Sequence, residues 1–129
     1  MKDTQKLNGI GCDIIEIYRI SQAIERYGNR FLERIFTQSE IDYAFRFRHS
    51  DAILAGRFAA KEAISKALGT GIGEVAGWKD IEIIKDSLGK PVVQLSDHLN
   101  KRFKNPQILI SISHSKDNAI ATAIWYSAS

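Results

Sequence analysis

The stretch that decides the fold reads RFAAKEAISKALGTG and spans residues 57–71. It is rich in alanine, the best helix former, and it runs into a glycine of the kind that commonly terminates helices. Small residues continue upstream to position 52, so the pattern predicts one helix that is capped by Ser50 or Asp51 and stops at Gly69. The many small side chains permit neighbouring elements to approach the backbone of this helix closely.

The segments around this helix predict a mixed fold with antiparallel strands. Residues 8–17 are β-branched and apolar and indicate a strand, whereas residues 20–34 have apolar side chains at helical spacing. Thr37 and Glu40 carry the capping-box signature of a further helix, to about residue 47. Two hairpins and a short helix complete the pattern, with strands over 81–85 and 91–95, a helix over 96–105, and strands over 107–113 and 119–127. The order indicates a single α+β domain in which a largely antiparallel sheet packs with helices.

The composition is that of a mildly basic globular protein. The 129 residues carry a formal net charge of +3, which suits an anionic partner such as a nucleotide, a nucleic acid or an acidic protein. The single cysteine, Cys12, cannot form an internal disulfide and fits a reducing compartment. The N-terminal residues are polar, unlike a signal peptide, and no apolar run reaches the roughly 20 residues of a membrane span. We therefore expect a cytoplasmic protein without a membrane segment.

Asp13 interrupts the apolar strand near the N-terminus. A buried carboxylate is costly unless a cation or strong donors lie nearby, so a structural ion pair, a turn at the strand end and a metal site all remain open. Strand alternation places Asp13 on the same face as Gly11 and Ile15. Cys12 then faces the other way, and we expect it in the core.

Glu62 and Lys66 are four positions apart and therefore lie on one face of the predicted helix. Such a pair is commonly a surface ion pair that contributes little stability. Here the pair points towards Gly69, Thr70 and Gly71. A carboxylate, an ammonium group and a glycine-rich loop together suit Mg²⁺ and phosphate, although the loop by itself is equally typical of a helix end.

Two further groups of polar residues have an ordinary interpretation and a functional one. His114 lies in the turn between the last two strands, where it either binds phosphate, acts as an acid or base, or simply completes the turn. Arg19, Arg26 and Arg30 recur at intervals that place them on one face of the first predicted helix. That face is either a solvated surface or a docking site for an acidic helix.

Three segments taken together resemble the holo-acyl-carrier-protein synthases, which are phosphopantetheinyl transferases. The segment GIGCDIIEIYRI, at 9–20, is similar to the opening motif of that family. The central signature of the family resembles residues 57–71, and its C-terminal motif resembles ISHSKD at 112–117. The order and spacing match too, and the resemblance covers nearly the whole chain.

The resemblance implies a Mg²⁺-dependent transfer of 4′-phosphopantetheine from coenzyme A to a serine of apo acyl carrier protein. It implies that Asp13 and Glu62 bind Mg²⁺, and that Lys66 contacts phosphate and assists proton transfer. Arg19 and Arg26 match the basic helix that docks acyl carrier protein. The family also implies a homotrimer with active sites at subunit interfaces. Residues that the resemblance places at coenzyme A are Arg57, Ser65, Lys66, Gly69, Thr70, Gly71, Lys90, Pro91 and His114.

Two other functions fit part of the pattern. A Mg²⁺-dependent nucleotide or pyrophosphate hydrolase uses the same carboxylates and lysine but needs no basic docking helix. A non-enzymatic RNA-binding module suits the positive charge, but the aromatic residues are not grouped with basic residues on one predicted strand. We therefore expect no nucleic-acid partner.

Overall fold

The computed structural model describes residues 5–128. Helices and strands follow one another as β1 (Gln5–Glu16), α1 (Ile17–Tyr27), α2 (Asn29–Ile35), α3 (Gln38–Ala44), α4 (Ser50–Leu68), β2 (Ile81–Lys85), β3 (Pro91–Leu95), α5 (Asp97–Arg102), β4 (Gln107–His114) and β5 (Asn118–Ala128). A short 3₁₀ turn, Trp78–Asp80, leads into β2. No helix within this part of the chain combines the length and the apolar character needed to cross a membrane.

The strands form two antiparallel sheets. One has three strands in the order β1-β5-β4, and the other is the β2–β3 hairpin. In the larger sheet, β5 is central and pairs antiparallel with both neighbours, so that Asp13 lies opposite Ala121. The expected α+β class with antiparallel strands is confirmed, and the predicted bounds of β2 and β3 agree with the structure.

Helix α4 is the centre of the molecule and packs against the larger sheet. Its alanines at 55, 59, 60 and 63 are fully buried, and so are Leu54 and Ile64. Gly69 ends the helix in the left-handed conformation, with φ at 84°, as the sequence predicts. The start differs from the prediction, because His49 occupies the N-cap position while Ser50 and Asp51 already lie in the first turn.

The first predicted helix is two helices in the structure. Gly28 has φ at 56°, a left-handed conformation that ends α1 and turns the chain into α2. Apolar spacing continues across the glycine, which is why the sequence pattern indicates one helix over 20–34. The next helix begins with the predicted capping box of Thr37 and Glu40, but it ends at Ala44, before the predicted residue 47.

Strand β1 has one face that is covered by α4 and one face that is open. Gly11 is buried on the covered face and Asp13 half-buried, whereas Ile10, Cys12 and Ile14 are exposed. The prediction that Cys12 lies in the core is therefore wrong. Alternation separates the two faces correctly, but only the packing of α4 decides which of them is covered.

A buried ion pair joins three helices, one strand and the 3₁₀ turn. The ammonium of Lys61 on α4 lies 2.7 Å from a carboxylate oxygen of Glu40 on α3, and both side chains are fully buried. Lys61 also donates to the carbonyl oxygens of Ile35 and Trp78. Glu40 accepts from the backbone N–H groups of Thr37 and, on β2, Ile83. Burial lowers the pKa of Lys61, and the Glu40 charge opposes this shift.

Candidate active site

Asp13 and Glu62 lie in one cleft between β1 and α4. The cleft has a volume of about 370 Å³. It is lined by the two carboxylates together with Ile14, Ile15, Arg19, Ile20, Phe31 and Phe58. The two acidic residues are 49 positions apart in the sequence, and the packing of β1 on α4 brings them together.

The cleft disfavours the charged form of Glu62. Partial burial raises the pKa of Glu62 first of all, the negative charge of Asp13 raises it further, and Lys66 opposes both. Two carboxylates that repel one another in a partly dehydrated cleft favour a cation between them. The arrangement therefore has the electrostatic character of a cation site.

Lys66 completes the charged cluster from the next turn of α4. Its ammonium lies 3.0 Å from Oδ1 of Asp13 and donates to the Cys12 carbonyl oxygen at 3.1 Å. The hydrogen bond to Asp13 is the main reason why the pKa of Lys66 is raised. In the structure, Lys66 of α4 thus forms its ion pair with Asp13 of β1, rather than a surface pair with Glu62 along the helix.

The carboxylate oxygens in the cleft are suitable ligands for Mg²⁺. No group of three or more histidine, cysteine, aspartate or glutamate side chains gathers as a metal cage anywhere in residues 5–128. Mg²⁺ is commonly bound through one or two carboxylates, with the remaining ligands coming from substrate phosphates and water. Asp13 and Glu62 match this pattern, in which part of the coordination belongs to a phosphorylated substrate.

The loop after α4 is a tightly bonded helix end. The N–H groups of Thr70 and Gly71 both donate to the carbonyl of Ser65, at 3.0 and 3.1 Å. Ser65 is buried, and its hydroxyl donates to the Glu62 carbonyl at 2.7 Å. The N–H of Gly69 donates to the Lys66 carbonyl at 3.0 Å. The backbone bonds of Gly69, Thr70 and Gly71 are therefore those of a helix end, and all three amides are already engaged within the chain.

Arg57 and His114 belong to a second polar region. Arg57 is buried, and its Nε has no hydrogen-bond partner within the described chain. The guanidinium carbon lies 5.1 Å from the centre of the Tyr43 ring. From Tyr43 a row of rings, called here the aromatic row, leads outwards to the exposed His114 through Phe47 and His49, with centre-to-centre distances of 5.2, 5.6 and 6.0 Å. Burial lowers the pKa of Arg57.

The β2–β3 turn borders this second region. Lys90 is exposed, and its backbone N–H donates to the Asp86 carboxylate at 2.9 Å. Pro91 pairs with Lys85, whose ammonium lies 5.2 Å from the centre of the Tyr43 ring. The turn is thus adjacent to the aromatic row. Sequence reasoning missed the row because it joins residues 43–49 to His114, which lies far along the chain.

The basic residues of α1 extend from the cleft along the surface. Arg19 lines the Asp13–Glu62 cleft and, with Arg26, also borders a neighbouring groove. Arg30 lies beyond the Gly28 break, so the prediction that it shares one helix face with the other two is wrong. It borders a third groove with Tyr27, Phe31 and Arg34, and Phe31 is common to this groove and the cleft.

Known proteins resemble the chain over most of its length. Residues 9–123 match the family described as the 4′-phosphopantetheinyl transferase superfamily. The holo-acyl-carrier-protein synthase of Protochlamydia amoebophila is 51% identical over 119 residues, which are 92% of this chain and 98% of that protein. The Helicobacter pylori synthase, solved in complex with coenzyme A, has 39% identity and a TM-score of 0.82, over 90% of this chain and 98% of that one.

A further solved structure agrees with these two matches. The Neisseria meningitidis holo-acyl-carrier-protein synthase superposes with a TM-score of 0.86 at 33% identity, and the alignment covers 93% of this chain and 98% of that one. Sequence and fold thus agree over nearly the full length of the relatives. The chain belongs to the 4′-phosphopantetheinyl transferase superfamily.

Proposed function

We propose that the chain transfers 4′-phosphopantetheine from coenzyme A to a serine of apo acyl carrier protein in a Mg²⁺-dependent reaction. The products are holo acyl carrier protein and adenosine 3′,5′-bisphosphate. The observation that carries the proposal is the meeting of Asp13, Glu62 and Lys66 at one cleft in a chain of this superfamily. We assign the activity to residues 1–129 as one domain, and to the cytoplasm, which suits a chain with one cysteine.

Each charged group in the cleft has a role in this reaction. Asp13 and Glu62 would hold Mg²⁺, which when bound supplies positive charge beside the pyrophosphate of coenzyme A. Lys66 lies next to Asp13 and neutralises phosphate oxygens on the leaving side. We also propose Glu62, whose pKa is raised by partial burial and by the charge of Asp13, as a base for the proton of the attacking serine.

The second polar region suits the nucleotide end of coenzyme A. A buried guanidinium with an unpaired Nε is a ready donor for a phosphate, which accepts strong hydrogen bonds from arginine. The aromatic row offers faces for an adenine ring to stack on, and His114 and Lys90 add polar contacts near its ends. Ser65, Gly69, Thr70 and Gly71 would then border the intervening part of the molecule, beside Lys66.

The two regions lie on different sides of α4, and this supports a site shared between subunits. Arg57 and Glu62 are five positions apart, a rotation of about 140° around a helix. The open face of the three-stranded sheet is apolar: its exposed fractions are 74% for Leu7, 71% for Ile10 and 63% for Ile14. Contiguous exposed apolar surface commonly marks a protein interface. We therefore propose a homotrimer that covers this face and combines regions of adjacent subunits.

Ile10→Lys is expected to break this assembly, because it places a charge in the proposed interface. The molar mass measured by light scattering should fall about threefold, from trimer to monomer, in line with closed cyclic assembly. Leu88→Lys is the matched control: Leu88 is 92% exposed in the β2–β3 turn, and its replacement should leave the mass unchanged. A variant at Ile10 that keeps the mass of the unmodified chain argues against this face as the interface.

Arg26→Glu tests the docking of acyl carrier protein. Arg26 lies in the groove beside the cleft without lining the cleft itself, so its reversal separates partner binding from chemistry. We expect the KM for acyl carrier protein to rise about tenfold, equivalent to about 1.4 kcal/mol, while the KM for coenzyme A stays unchanged. Lys101→Glu, an exposed reversal on α5, is the control. An altered KM for coenzyme A alone would show that α1 does not dock the carrier.

Intact-mass measurement of apo acyl carrier protein tests the reaction itself. Incubation with the chain, coenzyme A and Mg²⁺ should add one phosphopantetheine group to the carrier, and a chelator should prevent the addition. A hydrolase would instead consume coenzyme A at the same rate with and without the carrier. Loss of coenzyme A with an unchanged carrier mass would therefore overturn the proposal.

A further inference from the structure

Strand β1 lies unusually close to α4 at two glycines. A Cβ placed on Gly11 would lie 1.9 Å from the carbonyl oxygen of Ala63 and 2.8 Å from the backbone nitrogen of Ala67. A Cβ on Gly9 would lie 1.9 Å from the carbonyl oxygen of Ala67. Non-bonded carbon atoms pack best about 3.5–4.0 Å apart, and a Cβ atom essentially never lies within 3.0 Å of a non-bonded heavy atom. Because the opposing atoms belong to the helix backbone, any side chain at either glycine must push the strand and the helix apart.

The Gly11 contact lies beside the charged residues of the cleft on both the strand and the helix. Gly11 and Asp13 share one face of β1, two residues apart. Opposite them on α4, Ala63 directly follows Glu62. The gap between β1 and α4 at Gly11 therefore sets how far the Asp13 carboxylate stands from the Glu62 carboxylate. Gly9 makes a similar contact with Ala67, but lies four residues from Asp13 and farther along the helix from Glu62.

We infer that Gly11 is a positioning residue that sets the carboxylate spacing to the needs of Mg²⁺, an inference that rests on the proposed function. Mg²⁺ requires near-ideal octahedral geometry with oxygens at about 2.0–2.1 Å, whereas Ca²⁺ accepts flexible coordination at about 2.3–2.6 Å. A wider gap at Gly11 therefore weakens Mg²⁺ binding more than Ca²⁺ binding. Gly9 closes the same interface away from the carboxylates, so a wider gap there reduces stability without changing the preference between the two ions.

Titration calorimetry with each ion tests this difference directly. Gly11→Ala and Gly9→Ala are compared with the unmodified chain, with saturating coenzyme A and no acyl carrier protein, after thermal melting has established that each variant is folded. We expect Gly11→Ala to weaken Mg²⁺ binding by about 10–100-fold, the usual cost of losing a residue that orients metal ligands. Ca²⁺ binding should weaken less. Gly9→Ala should melt at a lower temperature and keep the Mg²⁺ to Ca²⁺ affinity ratio.

The outcomes separate this inference from the proposed function. Equal losses for both ions in Gly11→Ala, or the same altered ratio in Gly9→Ala, overturn the positioning role while the metal site stands. An unmodified chain that binds neither ion, or a Glu62→Gln variant that binds both normally, overturns the proposed metal site as well. If Gly11→Ala does not fold in buffer alone, all the proteins are compared in sucrose, an osmolyte that favours the folded state, and the same ratio decides.

Discussion

Glu62→Gln is expected to lower the transfer rate by about two to three orders of magnitude, the range seen when one preorganised electrostatic group is lost from an active site. The change keeps the size of the side chain and removes only its charge. Glu62 is one of two carboxylates in the cleft, so its neutralisation leaves Asp13 as the sole anionic ligand for Mg²⁺. The measurement is the initial rate of phosphopantetheine transfer at saturating Mg²⁺. Glu74→Gln, an exposed change of the same kind in the loop after α4, should leave the rate unchanged.

The same variant should be more stable than the unmodified chain when divalent ions are chelated. Burial and Asp13 raise the pKa of Glu62 above its ordinary value of 4.5 in the folded state. The ionised form therefore disfavours folding, fully so above the raised pKa, and this cost disappears below the pKa of the unfolded chain. Glu62→Gln should melt at a higher temperature at neutral pH, and the difference should shrink as the pH falls from the raised pKa of Glu62 towards 4.5 and vanish below 4.5. A lower melting temperature at neutral pH would contradict this electrostatic account of the cleft.

Lys61→Met is expected to cause the largest loss of stability. It leaves the Glu40 carboxylate buried without its counter-ion, and it leaves the carbonyls of Ile35 and Trp78 without their donor. Breaking a buried ion pair from one side commonly costs about 3–5 kcal/mol in the free energy of unfolding. Urea denaturation followed by circular dichroism measures that free energy.

A double variant separates two contributions to the lost free energy of unfolding: the uncompensated charge of Glu40 and the lost packing of Lys61. Replacing Glu40 by Gln in the Lys61→Met background removes the uncompensated charge, so part of the lost free energy should return. Lys79→Met, an exposed lysine in the 3₁₀ turn, is the surface control and should change the free energy by less than about 0.5 kcal/mol. A loss below about 1 kcal/mol for Lys61→Met would show that the pair is not buried as described.

The elements that sequence patterns predict best are those with strong local signals. β-Branched residues on either side of turn residues indicate β2 and β3, and Thr37 with Glu40 marks the start of α3. Alanine content and a terminal glycine define the end of α4 at Leu68. For the site, alternation places Asp13 correctly on the face of Gly11, and the motifs select Glu62 and Lys66 before any contact is visible.

The structural features that sequence patterns do not predict are those that depend on which distant segments pack together. Alternation does not tell which face of β1 a helix covers, so Cys12 is misplaced in the core. The ammonium of Lys66 bonds to Asp13, 53 positions away, rather than to its helix neighbour Glu62. Nothing in the local sequence distinguishes Lys61 from an exposed helical lysine. It is buried because α3 and the Trp78 turn pack around it. Helical spacing that continues across Gly28 hides the break between α1 and α2.

The proposed reaction depends above all on one divalent ion held between Asp13 and Glu62. Crystals of the chain grown with coenzyme A and Mn²⁺, which shares the preference of Mg²⁺ for oxygen ligands, allow the ion to be located by its anomalous scattering. We predict one peak per subunit within coordination distance of both carboxylates. A peak that contacts neither carboxylate, or well-defined coenzyme A without a peak in this cleft, would contradict the proposed metal site.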